Sequence, residues 1–191
     1  PLSKVYNVFC TYQIKKQSLT YNHNLLFLSG NNDYNVKGLD WFYREIFPDI
    51  KKHFFDVKLV IGGSICGRIE YLKADSNVDL VGFVEKEVDF YKMGDVVINP
   101  TFLGTGLKIK TFESLSFGKV TMVHPHSVQG IYKPNLAPVF SSKKSEEWIH
   151  FLNQIWGNPE KLKEISKNSL HYIEEMNAFV ECEYSRFFSS I

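Results

Sequence analysis

Asp95-Val96-Val97-Ile98-Asn99-Pro100-Thr101-Phe102-Leu103-Gly104-Thr105-Gly106-Leu107-Lys108-Ile109-Lys110-Thr111-Phe112-Glu113-Ser114-Leu115-Ser116-Phe117-Gly118-Lys119 decides how the rest of the chain is read. Its first four residues form a short β-branched run, as expected of a buried parallel strand over 95–98. Pro100 closes that strand. Gly104 and Gly106 let the backbone turn tightly and approach a ligand. From about Leu107 the spacing predicts a helix, with Ile109, Phe112 and Leu115 turned to a core. Gly118 suits the residue just past the helix end, and Val120-Val123 reads as the next strand. A glycine turn thus leaves the carboxyl end of a strand and feeds a helix N-terminus, where unpaired N–H groups and the helix dipole favour an anion. Lys108 and Lys110 add positive charge there, and Glu113 lies deeper in the helix.

Working outward, Leu25-Leu26-Phe27-Leu28 reads as a strand, with Ser29-Gly30-Asn31-Asn32-Asp33 as the loop at its carboxyl end. A helix follows over about 36–52, since Leu39, Phe42, Tyr43, Ile46 and Ile50 keep helical spacing. Pro48 must shorten or kink it. Strands are expected at 57–63, 78–84 and 136–140, with a short helix over 85–93 facing inward through Val88, Tyr91 and Lys92. Residues 64–76 are left as a short helix or loop. Ser142 or Ser145 is placed to cap a helix reaching about Trp156, and Pro159 opens another reaching about Phe179. Residues 5–12 read as a strand or a linker. Strands alternate with helices through short connections, which predicts right-handed βαβ units. The expected fold is α/β, a Rossmann-like, doubly wound parallel sheet of about six strands in the order 3-2-1-4-5-6. In that order strands 1 and 4 are neighbours, so the loops carrying Gly30 and Gly104 flank one crevice.

Composition narrows the function classes. A chain of 191 residues with 44% hydrophobic and 23% charged residues should form a globular core. A net charge of +1 gives no electrostatic case for a nucleic-acid partner. Cys10, Cys66 and Cys182 are scattered, without C-x-x-C spacing, which favours reduced thiols and a cytoplasmic setting. No apolar run approaches the ~20 residues of a membrane span, so membrane contact is expected to be peripheral at most. The chain begins at Pro1 rather than Met, as a piece of a longer protein would. No His, Cys, Asp or Glu cluster has metal-ligand spacing, so neither a metal nor a cofactor is expected. The loop after the first strand holds one glycine, not G-x-G-x-x-G, and Gly62-Gly63-Ser64-Ile65-Cys66-Gly67 has the wrong spacing for a dinucleotide site. No P-loop is present.

Several runs together resemble the C-terminal, donor-binding domain of retaining GT-B glycosyltransferases of family 4. They are Leu26-Phe27-Leu28-Ser29-Gly30 with Asn35, Gly38, Trp41-Phe42, Ile46 and Pro48; Leu59-Val60-Ile61-Gly62-Gly63; Val81-Gly82-Phe83-Val84; residues 104–120; and Gly130-Ile131. The resemblance covers about residues 25–180 and implies one half of a GT-B fold. Residues 1–24 would then be a linker or a remnant of an N-terminal domain, and residues 181–191 a C-terminal tail. It implies a nucleotide-sugar donor bound here and a glycan or lipid-linked acceptor bound by the N-terminal domain, in a protein that is cytoplasmic or peripheral at the inner face of the membrane.

The same resemblance implies roles. Glu113 matches the second glutamate of the family's E-x7-E motif, whose two acceptor oxygens suit the ribose diol. The first glutamate is replaced by Thr105. Lys37 falls at a diphosphate-binding lysine, while Asn31 stands where the family has an arginine, and Lys108 or Lys110 could compensate. Lys37 and Lys110 are thus the candidate catalytic cations. Gly30, Asn31, Gly82, Gly104, Thr105, Gly106, Leu107 and Glu113 are the candidate donor contacts. Lys110, taken as lying near solvent, is expected to contribute at most about 1 kcal/mol. His124 and His126 either touch the sugar or serve no role. Two other readings stay open: a non-catalytic nucleotide-sugar-binding module, and a sugar-nucleotide epimerase of the same architecture.

Overall fold

The computed structural model describes residues 9–104 and 109–189. Six parallel strands form one sheet in the order β3-β2-β1-β4-β5-β6. They are β1 (Asn24–Leu28), β2 (Lys58–Gly62), β3 (Val78–Gly82), β4 (Val96–Asn99), β5 (Val120–Val123) and β6 (Val139–Ser141). β1 pairs with β4 through Leu25 opposite Val96 and Leu26 opposite Val97, so their carboxyl ends lie side by side at one end of the sheet, as the expected strand order requires. The central strands are apolar on both faces because both are covered. Leu25, Phe27, Leu59 and Ile61 face one core with Phe42, Ile46, Phe47 and Trp148. Leu26, Val60 and Val97 face another with Phe90, Tyr91 and Phe117.

The helix expected over 36–52 starts earlier. Asn32 caps α1 (Asp33–Trp41), its side chain accepting the Asn35 N–H at 2.9 Å. Pro48 neither ends nor sharply breaks the run. A π-helical turn over Phe42–Ile46 precedes α2 (Phe47–His53), which absorbs the missing proline N–H at the second helix's first turn. Gly38 sets how close α1 comes to the β4 exit. A Cβ there would lie 2.8 Å from the Thr101 Cα and 3.0 Å from the Pro100 carbonyl.

Other expectations shift. Residues 64–76 form two 3₁₀ turns, Ser64–Arg68 and Glu70–Ala74. In α3 (Glu87–Tyr91) the buried pair is Phe90 and Tyr91, and Lys92 is exposed. In α4 (Ile109–Ser116) Phe112 and Leu115 are buried as expected, but Ile109, the first residue of the helix, is 56% exposed. β6 starts three residues late, since Pro134–Leu136 is a 3₁₀ turn with Leu136 exposed. α5 (Ser145–Trp156) has Lys144 at its cap position. Ser142 Oγ accepts the Lys144 N–H at 3.0 Å and donates to Glu147. α6 (Pro159–Phe188) runs well past Phe179, so residues 181–188 are helix rather than a separate tail. Among the described residues no helix is long and apolar enough to cross a membrane.

Of the expected strand or linker over 5–12, residues 5–8 lie outside the described residues, and the rest is a strap. Residues 9–23 run extended across α4 and α6 without joining the sheet. Tyr12 exchanges backbone hydrogen bonds with the Asn177 amide at 2.9 and 2.8 Å. Phe9 and Tyr12 pack on the Phe112 ring, 5.9 and 5.6 Å between centroids. The strap ends on Asp95, which accepts the N–H groups of Thr20 and Tyr21 and the Thr20 hydroxyl. Asp95 is fully buried beside Lys119, 3.9 Å away, whose ammonium donates to the Gly94 carbonyl at 2.8 Å.

Burial pushes the Lys119 ammonium down to about 8, against the opposing pull of Asp95. With a folded value below the unfolded one, the unfolded chain holds the extra proton between about pH 8 and 10.5. This group's contribution to stability therefore rises with pH across that window. Urea unfolding at pH 8 and pH 10 should show that rise in the parent relative to Lys119→Met. Equal pH dependence in both chains would rule the assignment out.

Candidate functional site

The carboxyl ends of β1, β2 and β3 and the inner face of α4 enclose a cleft of about 370 Å³. Its walls include Gly30, Gly63, Phe83, Val84, Lys110 and Glu113. The exits of β1, β2 and β3 meet here because parallel neighbours put their carboxyl ends on one side of the sheet, and α4 supplies Lys110 and Glu113.

Asn35, in the first turn of α1 and 3% exposed, joins the two sides. Its Nδ2 donates to the Gly30 carbonyl at 3.0 Å, and its Oδ1 accepts from Lys110 Nζ at 2.8 Å. Lys110 therefore reaches back from α4 to the loop after β1. Burial lowers its pKa, and Glu113 one turn away pulls the other way. Among the described residues it has no carboxylate within ion-pair distance. Glu113 accepts the Tyr91 hydroxyl at 3.0 Å. Burial raises the Glu113 pKa, with the nearby Glu87 carboxylate adding to it. Tyr91 is buried and held well above the ordinary phenol value, by burial first and then by Glu113. It thus remains a hydrogen-bond donor. One face of α4 presents an ammonium bonded to a neutral amide and, one turn on, a carboxylate whose Oε1 accepts from a phenol. That combination suits a phosphate and a vicinal diol.

The other sequence candidates fall into three groups. Gly30 lines the cleft. Gly82, with φ +78°, ends β3, and its carbonyl accepts the Gly63 N–H at 2.7 Å; the side chains that follow it, Phe83 and Val84, form the cleft wall. Asn31 sits exposed at the rim, its carbonyl taken by Arg68 Nη1 at 2.9 Å, while the same guanidinium pairs with Asp33 at 2.6 Å. Lys37 is exposed and lies two residues past Asn35, so it leaves α1 on the side away from Lys110 and does not line the cleft. Gly104 has φ +91° at the start of the glycine turn. Thr105, Gly106, Leu107 and Lys108 lie outside the described residues. The structure thus brings Gly30, Lys110 and Glu113 together and leaves Lys37 apart.

Sequence reasoning missed two members. Tyr91 was legible only as an apolar helix position. Asn35 carries a faint signal, a polar residue at the third position of a capped helix on the face that turns inward.

The fold is shared with glycosyltransferases of known structure. HepE of Anabaena, solved with UDP and glucose, superposes with a TM-score of 0.70 at 12% identity, over 96% of this chain and 56% of that one. TarM of S. aureus, solved as a variant with Fondaparinux, alpha-GlcNAc-glycerol and UDP, gives 0.73 at 14% identity, over 96% and 39%. The C-terminal domain of LpcC, a group 1 family glycosyl transferase from Francisella tularensis, gives 0.56 at 10% identity, over 86% and 87%. The chain spans little more than half the length of HepE and well under half that of TarM. The sequence matches none of the curated proteins with which it was compared. The model of the family described as glycosyl transferases group 1 matches residues 22–158, which contain every strand of the sheet and the whole cleft. The chain belongs to the glycosyl transferases group 1 family.

Proposed function

We propose that the chain binds the donor in a glycosyltransferase that moves a sugar from a nucleoside diphosphate sugar to a glycan or lipid-linked acceptor, with retention at the sugar. The observation that carries this reading is the pairing on α4: Lys110, bonded to the neutral Asn35 amide, stands one turn from Glu113. In the reading Lys110 meets the diphosphate and Glu113 takes the ribose hydroxyls. UDP in the HepE and TarM structures, which share the fold, supports it. When the sugar departs, negative charge develops on the leaving diphosphate. A fixed ammonium aimed at that charge lowers the barrier without reorganising. Lys37 and Asn31, which stand apart from the cleft interior, have rim roles at most in this scheme, and no resident metal is called for.

The reading is tested by ligand-induced melting with UDP, GDP, CDP and dTDP, each beside inorganic pyrophosphate. Saturation at a hundred times Kd stabilises a chain by about 2.7 kcal/mol, roughly 5–10 °C for a domain of this size. At least one nucleoside diphosphate should give such a shift, and pyrophosphate a smaller one. No shift with any of the four would overturn the reading.

A further inference from the structure

The strap reaches the two helices that bring carboxylates to the cleft. The Lys15 N–H donates to the Ser116 carbonyl, at the end of α4, at 2.9 Å. Its ammonium lies 3.4 Å from Glu87 Oε2, at the start of α3, and 5.0 Å from the centroid of the Phe117 ring. Two residues on, Gln17 Nε2 donates to the Val88 carbonyl at 2.9 Å, so the strap grips α3 beside Glu87. The Phe117 ring stacks on Tyr91, 4.2 Å between centroids and 27° between planes, and the Tyr91 hydroxyl donates to Glu113. Lys15 thus touches both arms that lead to Glu113, one through Glu87 and one through the ring pair. It lies outside residues 22–158, the segment that the family model matches.

We propose that Lys15 is a positioning residue for the donor site: by holding Glu87 and the Phe117–Tyr91 ring pair, it keeps Glu113 in the charged form that takes the ribose. The proposal rests on the donor-binding reading and adds a residue to it. Glu87 and Glu113 line the same cleft, and two carboxylates sharing a site oppose each other's ionisation. A nucleoside diphosphate adds further negative charge. A cation held against Glu87 offsets part of that repulsion, and its contact with the Phe117 face fixes where the cation sits. The groups acting on Glu113 come from three elements. α3 supplies the Glu87 carboxylate, which opposes ionisation, and the Tyr91 hydroxyl, which favours it; the strap supplies Lys15 and α4 itself Lys110, which both favour it. Tyr12 of the strap also faces the Glu113 charge, and burial first of all holds its phenol up at about 12, so it stays neutral. α6 shares a core with Phe112 and Leu115 through Tyr172, Ile173 and Met176, and its phenol donates to the Tyr132 carbonyl. The Lys15 and Glu87 side chains are 38% and 49% exposed, which keeps the effect to a fraction of a pH unit.

Lys15→Met keeps the stem and loses the charge, and Lys15→Arg restores a charge that stacks on an aromatic face and pairs with a carboxylate. Two readouts are needed. One is the pH midpoint of the Glu113 carboxyl by carbon-13 NMR, its signal assigned by its loss in Glu113→Gln. The other is the pH profile of calorimetric affinity for the tightest binder among UDP, GDP, CDP and dTDP. Lys15→Met should raise the NMR midpoint by about half a pH unit, roughly a threefold gain in proton affinity, and move the acid-side fall in nucleotide affinity up with it. Lys15→Arg should return both to the parent's values, and Glu87→Gln should lower the midpoint. An unmoved midpoint in Lys15→Met overturns the proposal, as does an equal rise in Lys15→Arg, a rise in Glu87→Gln, or a nucleotide profile that stays put while the midpoint moves. If the parent binds none of the four nucleotides, the donor-binding reading falls, and the hold on Glu113 is decided by the NMR midpoint alone: a rise in Lys15→Met that arginine reverses upholds it, and an unmoved midpoint refutes it.

Discussion

Replacing Glu113 with alanine is expected to lower the affinity for a nucleoside diphosphate by about a hundredfold. Each hydrogen bond from a ribose hydroxyl to an ionised carboxylate is worth about 1.5–3 kcal/mol, and two such bonds, discounted for non-additivity, give that loss. The Tyr91 hydroxyl fixes the carboxylate from the buried side, leaving the cleft side for the ligand. Glu113→Gln keeps an acceptor for Tyr91 and removes the charge, so it should fall between parent and alanine. The site costs the fold something. Burial and Glu87 raise the folded pKa of Glu113 above the ordinary 4.5. Its favourable share of stability is therefore complete below about that pH and is lost as pH rises through the folded value. At neutral pH Glu113→Gln should be the more stable chain while binding less well. Since the reading needs the ionised form, nucleotide affinity should fall on acidification, with its midpoint above the ordinary carboxylate range. Calorimetry at stepped pH checks both points.

Replacing Lys110 with methionine should cost about 2 kcal/mol of binding, roughly thirtyfold. The sequence alone suggested much less, on the premise of a solvated lysine. The structure changes the premise: the ammonium is half-buried, its pKa is lowered by burial, and its hydrogen-bond partner is the neutral Asn35 amide. A charge taken out of water without a counter-ion is poised to gain from an anion. Methionine conserves the stem's packing, so the loss should be in binding. A second signature is salt dependence, which should be weaker in Lys110→Met than in the parent. Parent-like affinity in the variant would remove Lys110 from the site. Glu113→Ala should still show the larger loss, though by a smaller margin than a solvated lysine would give.

The strand order was legible because strands buried on both faces read as apolar runs, as in Leu25-Leu26-Phe27-Leu28 and Val96-Val97-Ile98, and because glycines mark their exits. That Lys110 and Glu113 share one face of a helix was legible through helical spacing. What stayed hidden depends on tertiary contact. Asn35 looks like any helix-start polar residue until the sheet brings α4 within reach. The strap over 9–23 has no period of its own, since Phe9, Tyr12 and Ile14 are covered only by packing against α4 and α6. Lys119 is buried beside Asp95, the two residues directly preceding the neighbouring strands β5 and β4, a pairing that no local pattern encodes. His126 reads as an idle loop residue until the β5 exit folds back on Gly104.

The central claim is that the cleft between the carboxyl ends of β1, β2 and β3 and the face of α4 takes a nucleoside diphosphate with its ribose on Glu113. Calorimetric titration of the parent with a nucleoside diphosphate and with its 2′,3′-dideoxy form tests this most directly. The account predicts one site for the ribose form and an affinity about a hundredfold lower for the dideoxy form; equal affinity for the two would contradict it.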